Sequence, residues 1–202
     1  MKKPLLLAVV AAFIGLVAAG LLFSALGAAD PCTRGDGRAT VRPQGDAVCL
    51  RDVATVAFPA GAFAAPTEVT LSTSADQDVA KVFSETTVMF LTAGRLEHEL
   101  RIATGATAPN SEYVQVTMPV PDSLLLSTLA GHGLEAFAAV EHKSGQGSPS
   151  LVFEALASRF DAETQTVSFQ VPRAAFAAHQ LTRGNVQAIV TLAPTLSGGD
   201  CH

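Results

Sequence analysis

The sequence predicts an all-β fold: an antiparallel β-sandwich of roughly 8–11 short strands, preceded by an N-terminal hydrophobic helix. Three observations predict it. Beyond residue 47, apolar residues recur mostly at every second position, the period of a strand with one face buried. Gly, Pro, Asn and Asp clusters interrupt these runs at short intervals, as turns do. Three runs also stop at a proline: Val56-Ala57-Phe58-Pro59, Val116-Thr117-Met118-Pro119 and Val167–Pro172. Proline lacks the N–H that a sheet ladder needs, so it ends pairing or sits at an edge.

The chain opens with Lys2 and Lys3, followed by an uncharged run from Leu5 to Ala29; Asp30 is the first acidic residue. A positive start before an apolar run is an export or membrane-insertion signal. The run reaches the roughly 20 residues that span a bilayer. It also ends in Gly27-Ala28-Ala29, the small residues that a signal peptidase prefers. Residues 1–29 are therefore read as a signal peptide or a signal-anchor transmembrane helix. The positive-inside rule places everything after Asp30 outside the cytoplasm. The expected location is extracytoplasmic: single-pass and membrane-anchored, or secreted or periplasmic after cleavage. In either case the N-terminal segment inserts in the membrane at least transiently.

Residues 30–46 are rich in turn formers and read as a linker. The sandwich is placed at 47–195 and a flexible tail at 196–202. Strands are expected at 47–51, 53–58, 67–73, 78–83, 86–91, 96–103, 112–118, 134–141, 151–159, 165–171 and 185–193. Segment 151–159 suits a helix by composition. Asp161-Ala162-Glu163-Thr164 after it looks like a hairpin turn, which favours a strand. Two short helices are expected. Asp122 or Ser123 is suited to cap Leu124–Ala130, with Gly131 ending it. Residues 174–179 form a single turn after Pro172. Residues 143–149 are a loop.

Cysteines 32, 49 and 201 lie beyond the export signal, where a disulfide is expected. Three pairings are open. Cys32–Cys49 closes a short loop and would tie the entry segment to the first strand, so it is favoured. Pairing Cys201 with Cys32 or Cys49 would staple the two ends of the domain.

Composition narrows the function. The net charge is −5 and Lys and Arg do not cluster, which argues against nucleic acid as a partner. Trp is absent and Tyr113 is the single tyrosine, so stacking platforms for single strands are lacking. Glu97-His98-Glu99 is the most tempting catalytic or metal cluster. In a strand, Leu96, His98, Leu100 and Ile102 share the apolar face, while Glu97, Glu99 and Arg101 share the other. His98 then reads as a core histidine, and Glu97 and Glu99 as a solvated face paired with Arg101. His132, between two glycines, reads as a loop residue, His142 as exposed and His179 as half-buried. Their spacing is not that of a zinc site. Asp76-Gln77-Asp78 lacks the glycine and distal glutamate of a calcium loop and reads as solvated. No Gly-x-Ser-x-Gly elbow and no phosphate loop occurs. The sequence thus assigns no catalytic, cofactor-binding or metal-binding residue, and no cofactor. The chain is expected not to be an enzyme.

Residues 53–74 carry a family resemblance. Val56-Ala57-Phe58-Pro59-Ala60-Gly61-Ala62-Phe63, followed by Thr67-Glu68-Val69-Thr70-Leu71, is similar to the opening of a ZU-five domain, the β-sandwich module of ankyrins, netrin receptors and zonula-occludens proteins. Residues 111–121 resemble that family's apolar strand closing on a proline, and 134–171 its final hairpin. The His-Phe-Ser triplet at which some relatives cleave themselves is replaced here by Phe176-Ala177-Ala178-His179-Gln180. The resemblance implies a protein–protein interaction module without autoproteolysis. The expected function is a non-enzymatic interaction or structural module at the cell envelope or secreted, its protein partner unknown. The alternative is a carrier of a small apolar ligand held between the sheets.

Overall fold

The structure is a computed structural model that describes residue 32 and residues 34–74, 76–86, 99–129, 133–142, 150–178, 180–182 and 184–195. Eleven strands and two helices are seen among them: β1 (Arg38–Val41), β2 (Asp46–Leu50), β3 (Ala54–Phe58), β4 (Thr67–Ser74), α1 (Gln77–Thr86), β5 (Glu99–Ala103), β6 (Tyr113–Pro119), α2 (Asp122–Leu129), β7 (Gly133–His142), β8 (Ser150–Leu156), β9 (Ser158–Asp161), β10 (Thr166–Pro172) and β11 (Gln187–Thr195). They form two antiparallel sheets. The larger is ordered β1-β4-β5-β11-β7-β8 and the smaller β2-β3-β6-β10-β9.

Strand alternation builds the core between the sheets. In the smaller sheet, Val48, Val56, Val116 and Phe169 lie side by side across four strands. In the larger, Leu71, Ile102 and Ala188 form one row and Leu100, Val190 and Ala138 the next. All ten are buried in one cluster, to which Phe58 and Phe63 add a ring contact at 5.4 Å. Burying a Val, Leu or Phe side chain is worth about 1.5–3 kcal/mol, so this cluster is the main source of stability.

The two sheets share chain at both lateral edges. At one edge the chain crosses at Gly37. Its N–H donates to Cys49 O of β2 at 2.9 Å, and its carbonyl accepts from Leu71 N of β4 at 2.6 Å. One residue is thereby bonded into both sheets. Its φ of +74° suits glycine, and a Cβ there would lie 2.6 Å from Leu71 O. At the other edge, Leu156 pairs with Ala136 in the larger sheet and Ser158 with Phe169 in the smaller. The chain bends at Ala157 between them, as strands do when they turn a sandwich corner. The single strand expected at 151–159 is therefore two strands in different sheets.

Two other expectations change. Residues 78–83 form helix α1, not a strand. Asp76 supplies the reason: its Oδ1 accepts from Asp78 N at 3.0 Å and its carbonyl from Ala80 N at 3.1 Å, the geometry of an N-cap. Val79 and Phe83, four residues apart, then fall on one helix face and are buried. Phe83 packs edge-on against Phe137 and Phe153, at 5.4 and 5.1 Å, so α1 covers the outer face of the larger sheet over β7, β8 and β11. Also, β1 lies inside the segment expected to be a linker, because Arg38–Val41 pair with β4.

The three prolines do punctuate strands. β6 ends at Pro119, β10 ends at Pro172, and Pro59 follows β3 directly. Helix α2 begins at Asp122, so that Asp122 and Ser123 lie inside the helix and do not take the cap position expected of one of them. The Pro121 carbonyl accepts from Leu124 N and Leu125 N at 2.9 Å, so Pro121 takes that position. The turn after Pro172 is a single 3-10 turn. The hairpin turn at 161–164 forms as well: Asp161 Oδ1 accepts from Glu163 N at 2.9 Å and Thr164 N at 3.3 Å. Those two N–H groups hold the Asp161 carboxyl below its usual range. The expected N-terminal helix, the loop 143–149 and the tail lie outside the described residues, as do 87–91 and 96–98 of the expected strands. Among the described residues no helix is long and apolar enough to cross a membrane.

Alanine substitution at two glycines tests the corner. Gly61, at φ +79°, has no atom within 4 Å of where an alanine methyl would sit, so Gly61→Ala is expected to cost about 1–2 kcal/mol, the left-handed penalty alone. Gly37→Ala adds a collision with a backbone carbonyl and is expected to cost at least about twice as much, read from denaturant midpoints.

Candidate functional site

The outer face of the smaller sheet is built by residues alternating with its core. Thr55 lies between Ala54 and Val56, Thr117 between Val116 and Met118, and Ser168 between Val167 and Phe169. Register aligns them into one row, Cys49–Thr55–Thr117–Ser168–Arg159, across all five strands. Thr117 and Ser168 join hydroxyls at 3.0 Å. The next row is Ala47–Ala57–Gln115–Gln170. Among the described residues these side chains are half-buried or exposed, apart from Cys49. The face is therefore open and, up to Arg159 at its edge, uncharged. It offers hydroxyl and amide donors and acceptors at the spacing of adjacent strands, about 4.8 Å.

Cys32 and Cys49 are joined by a disulfide, with S–S 1.96 Å and Cα–Cα 5.0 Å. This is the favoured short-loop pairing, and Cys201 lies outside the described residues. The Thr55 hydroxyl lies 3.5 Å from Cys49 Sγ and 3.6 Å from Cys32 Sγ, so the bridge continues the polar row. Beside it opens a cavity of about 280 Å³, floored by Thr55, Thr117 and Thr166 and rimmed by Arg51, Asp52 and Pro119. It sits on the outside of the sandwich and not between the sheets.

A second polar group lies on the opposite side of the molecule. Glu99 is 1% exposed, a correction to the solvated face expected of it. It points away from the sandwich core, as the alternation of β5 requires, but onto the face that α1 covers. Its pairing with Arg101 is present. Arg101 Nη2 also meets Asp76 Oδ2 at 3.1 Å, and Arg101 Nη1 donates to Leu181 O at 3.4 Å. Burial pushes the Glu99 carboxyl up, and the Arg101 guanidinium partly offsets this. With its guanidinium shared between two carboxylates, Arg101 anchors the start of α1 to β5. This is a structural role. Asp76, expected to be solvated, is instead both cap and ion partner.

Among the described residues there is one histidine, His142. His142 is exposed and pairs with Glu154 across the β7–β8 hairpin. His98, His132 and His179 lie outside the described residues, as does Glu97. Among the described residues no three His, Cys, Asp or Glu side chains are placed to hold a metal ion. The hydroxyl row escaped the sequence reading, although its signal is there: threonine or serine at outward positions of three strands whose inward positions are Val, Met or Phe. No family model matches the chain, and no curated protein matches it.

The buried ion group generates a pH-dependent expectation. Arg101→Met strands two carboxylates and is expected to cost about 3–5 kcal/mol, whereas Glu99→Gln should stay within about 1 kcal/mol of the parent. Folded Glu99 binds its proton more tightly than the unfolded chain does. Its contribution is therefore greatest below its ordinary value of 4.5 and falls as pH rises through the raised folded value. The stability difference between parent and Glu99→Gln, measured from about pH 4 to about pH 7, should show that decline.

Proposed function

We propose that this chain is a non-enzymatic, extracytoplasmic β-sandwich that serves as an interaction or structural module, exported by residues 1–29 and either anchored by them or released. The observation that carries the reading is the asymmetry of the two outer faces. Helix α1 covers the β7, β8 and β11 part of the larger sheet's outer face, where the outward side chains are apolar, while the outer face of the smaller sheet is uncovered across the hydroxyl and amide rows that line it. Such a face suits contact with a protein surface, where many short hydrogen bonds are shared with water. The Cys32–Cys49 disulfide supports an oxidising compartment. The resemblance of residues 53–74 to the ZU-five opening belongs to the same reading, since that family works through protein–protein contact.

The test combines compartment and contact. In cells producing the full chain, thiol alkylation should tag Cys32 and Cys49 only after reduction, and the chain should fractionate with the envelope or the medium. A photo-crosslinking residue at Gln115 or Gln170 should capture a protein that the same residue at Lys81 of α1 does not. Free thiols in a cytoplasmic fraction would overturn the compartment. Equal capture from both faces would overturn the assignment of the surface. Removing the bridge by Cys32→Ser with Cys49→Ser is expected to cost about 3 kcal/mol, the closure entropy of a loop of this length.

A further inference from the structure

We propose that the protein stands on the bilayer by one pole of the smaller sheet. The β2–β3 turn (residues 51–53) faces the lipid and the Tyr113 end faces away. The inference rests on the reading of residues 5–29 as membrane-inserted.

The chain ends of the smaller sheet define two poles. The β2–β3 turn, Pro119 and the β9–β10 turn lie at one, as the pairings Leu50↔Ala54 and Thr166↔Pro119 and the bond from Val120 N to Gln165 O require. The turn at 59–61, the turn at 43–45 and Tyr113 lie at the other, joined by Gly61 N to Pro43 O at 2.8 Å and by the Pro172↔Tyr113 pairing. The entering chain is fixed at the first pole. Cys32 is bonded to Cys49, Gly35 O accepts from Arg51 N at 3.0 Å, and the cavity beside the bridge is rimmed by Arg51 and Asp52.

The length of the tether decides which pole can reach the lipid. From Ala29, the last residue of the apolar run, to Cys32 is three peptide steps, at most about 10 Å of chain. The seven residues of β6 separate the poles by about 23 Å. So short a tether keeps the first pole at the headgroups and cannot carry the second there unless the sandwich lies on its side. Without the bridge, the backbone bond from Arg51 N to Gly35 O is what ties the entering chain to the end of β2, and from Ala29 to Gly35 the tether spans up to about 20 Å. Asp52, Asp161 and Glu163 are exposed at the first pole, so proximity is imposed by the covalent path and not by attraction to anionic lipid.

The chain contains no tryptophan, so one can be introduced as a sole reporter. The full chain is reconstituted in phosphatidylcholine vesicles bearing a nitroxide on the headgroup. The reporter is placed by Arg51→Trp or Glu163→Trp at the first pole, or by Ala60→Trp at the second; all three sites are exposed turns. Quenching at 51 and 163 should exceed that at 60 by roughly threefold or more, given a tether of about 10 Å against a pole separation of about 23 Å. Adding Cys32→Ser and Cys49→Ser should bring the quenching at 51 down toward that at 60. Failure of the chain to float with vesicles would sink the membrane-anchor reading and this proposal with it. Flotation with equal quenching at both poles, or more at 60, would overturn the orientation alone.

Discussion

Gly37 is the constraint on which the sandwich depends. A sandwich of two open sheets leaves four edges, and each open edge exposes unpaired backbone groups. Here one residue donates to β2 and accepts from β4, so a single residue binds the two sheets at one side. Only glycine combines the positive φ with the absence of a side chain against Leu71 O. The neighbouring elements depend on this crossing. β1 joins the larger sheet because Gly37 directs it there, β2 is flanked by residues 35–37, and Cys32 is brought beside Cys49. The bend at Ala157 does the corresponding work on the other side.

The outer faces meet their surroundings in two ways. On β7, β8 and β11 of the larger sheet the outward residues are apolar as well, Phe137, Ala139, Phe153 and Ile189, whereas on β1 and β4 they are polar and exposed, as at Arg38, Thr40, Glu68 and Ser72. The apolar patch needs a lid, and α1 supplies one with Val79 and Phe83. Seating that lid buries Glu99, a cost that the Arg101 guanidinium partly offsets. On the smaller sheet the outward residues are Thr, Ser, Gln and Ala, which are content at a water boundary. The same alternation of strands thus yields a covered apolar patch on one sheet and an open polar face on the other, and the difference lies in the outward half of the pattern.

Much of this was legible in the sequence. The strands β2, β3, β4, β6, β7, β10 and β11 announce themselves by period two, and the prolines mark their ends because a missing N–H is a local fact. The 161–164 turn and the helix after Pro121 are local too. What failed was non-local or ambiguous. Val79-Ala80-Lys81-Val82-Phe83 fits both periods over so short a run, and only the Asp76 cap decides for a helix. Glu99 was placed on the correct face of β5, but a covering helix is invisible from the strand itself. The Asp76–Arg101 pair joins residues 25 apart. The disulfide is non-local too, but the short loop it closes favoured Cys32–Cys49 from the sequence, and that pairing is the one formed.

The disulfide also sets how the domain bears mechanical load. A pull on the N-terminal end reaches Cys32 and passes straight into Cys49, so residues 33–48 are bypassed by a covalent shortcut. β1 and the glycine corner then carry no tension. The force enters the smaller sheet at Cys49, near the end of β2, and passes on through Leu50 and the β2–β3 turn into β3, whose bonds to β2 and β6 run across the strand direction. The bridge makes the most delicate corner of the fold a slack element under strain.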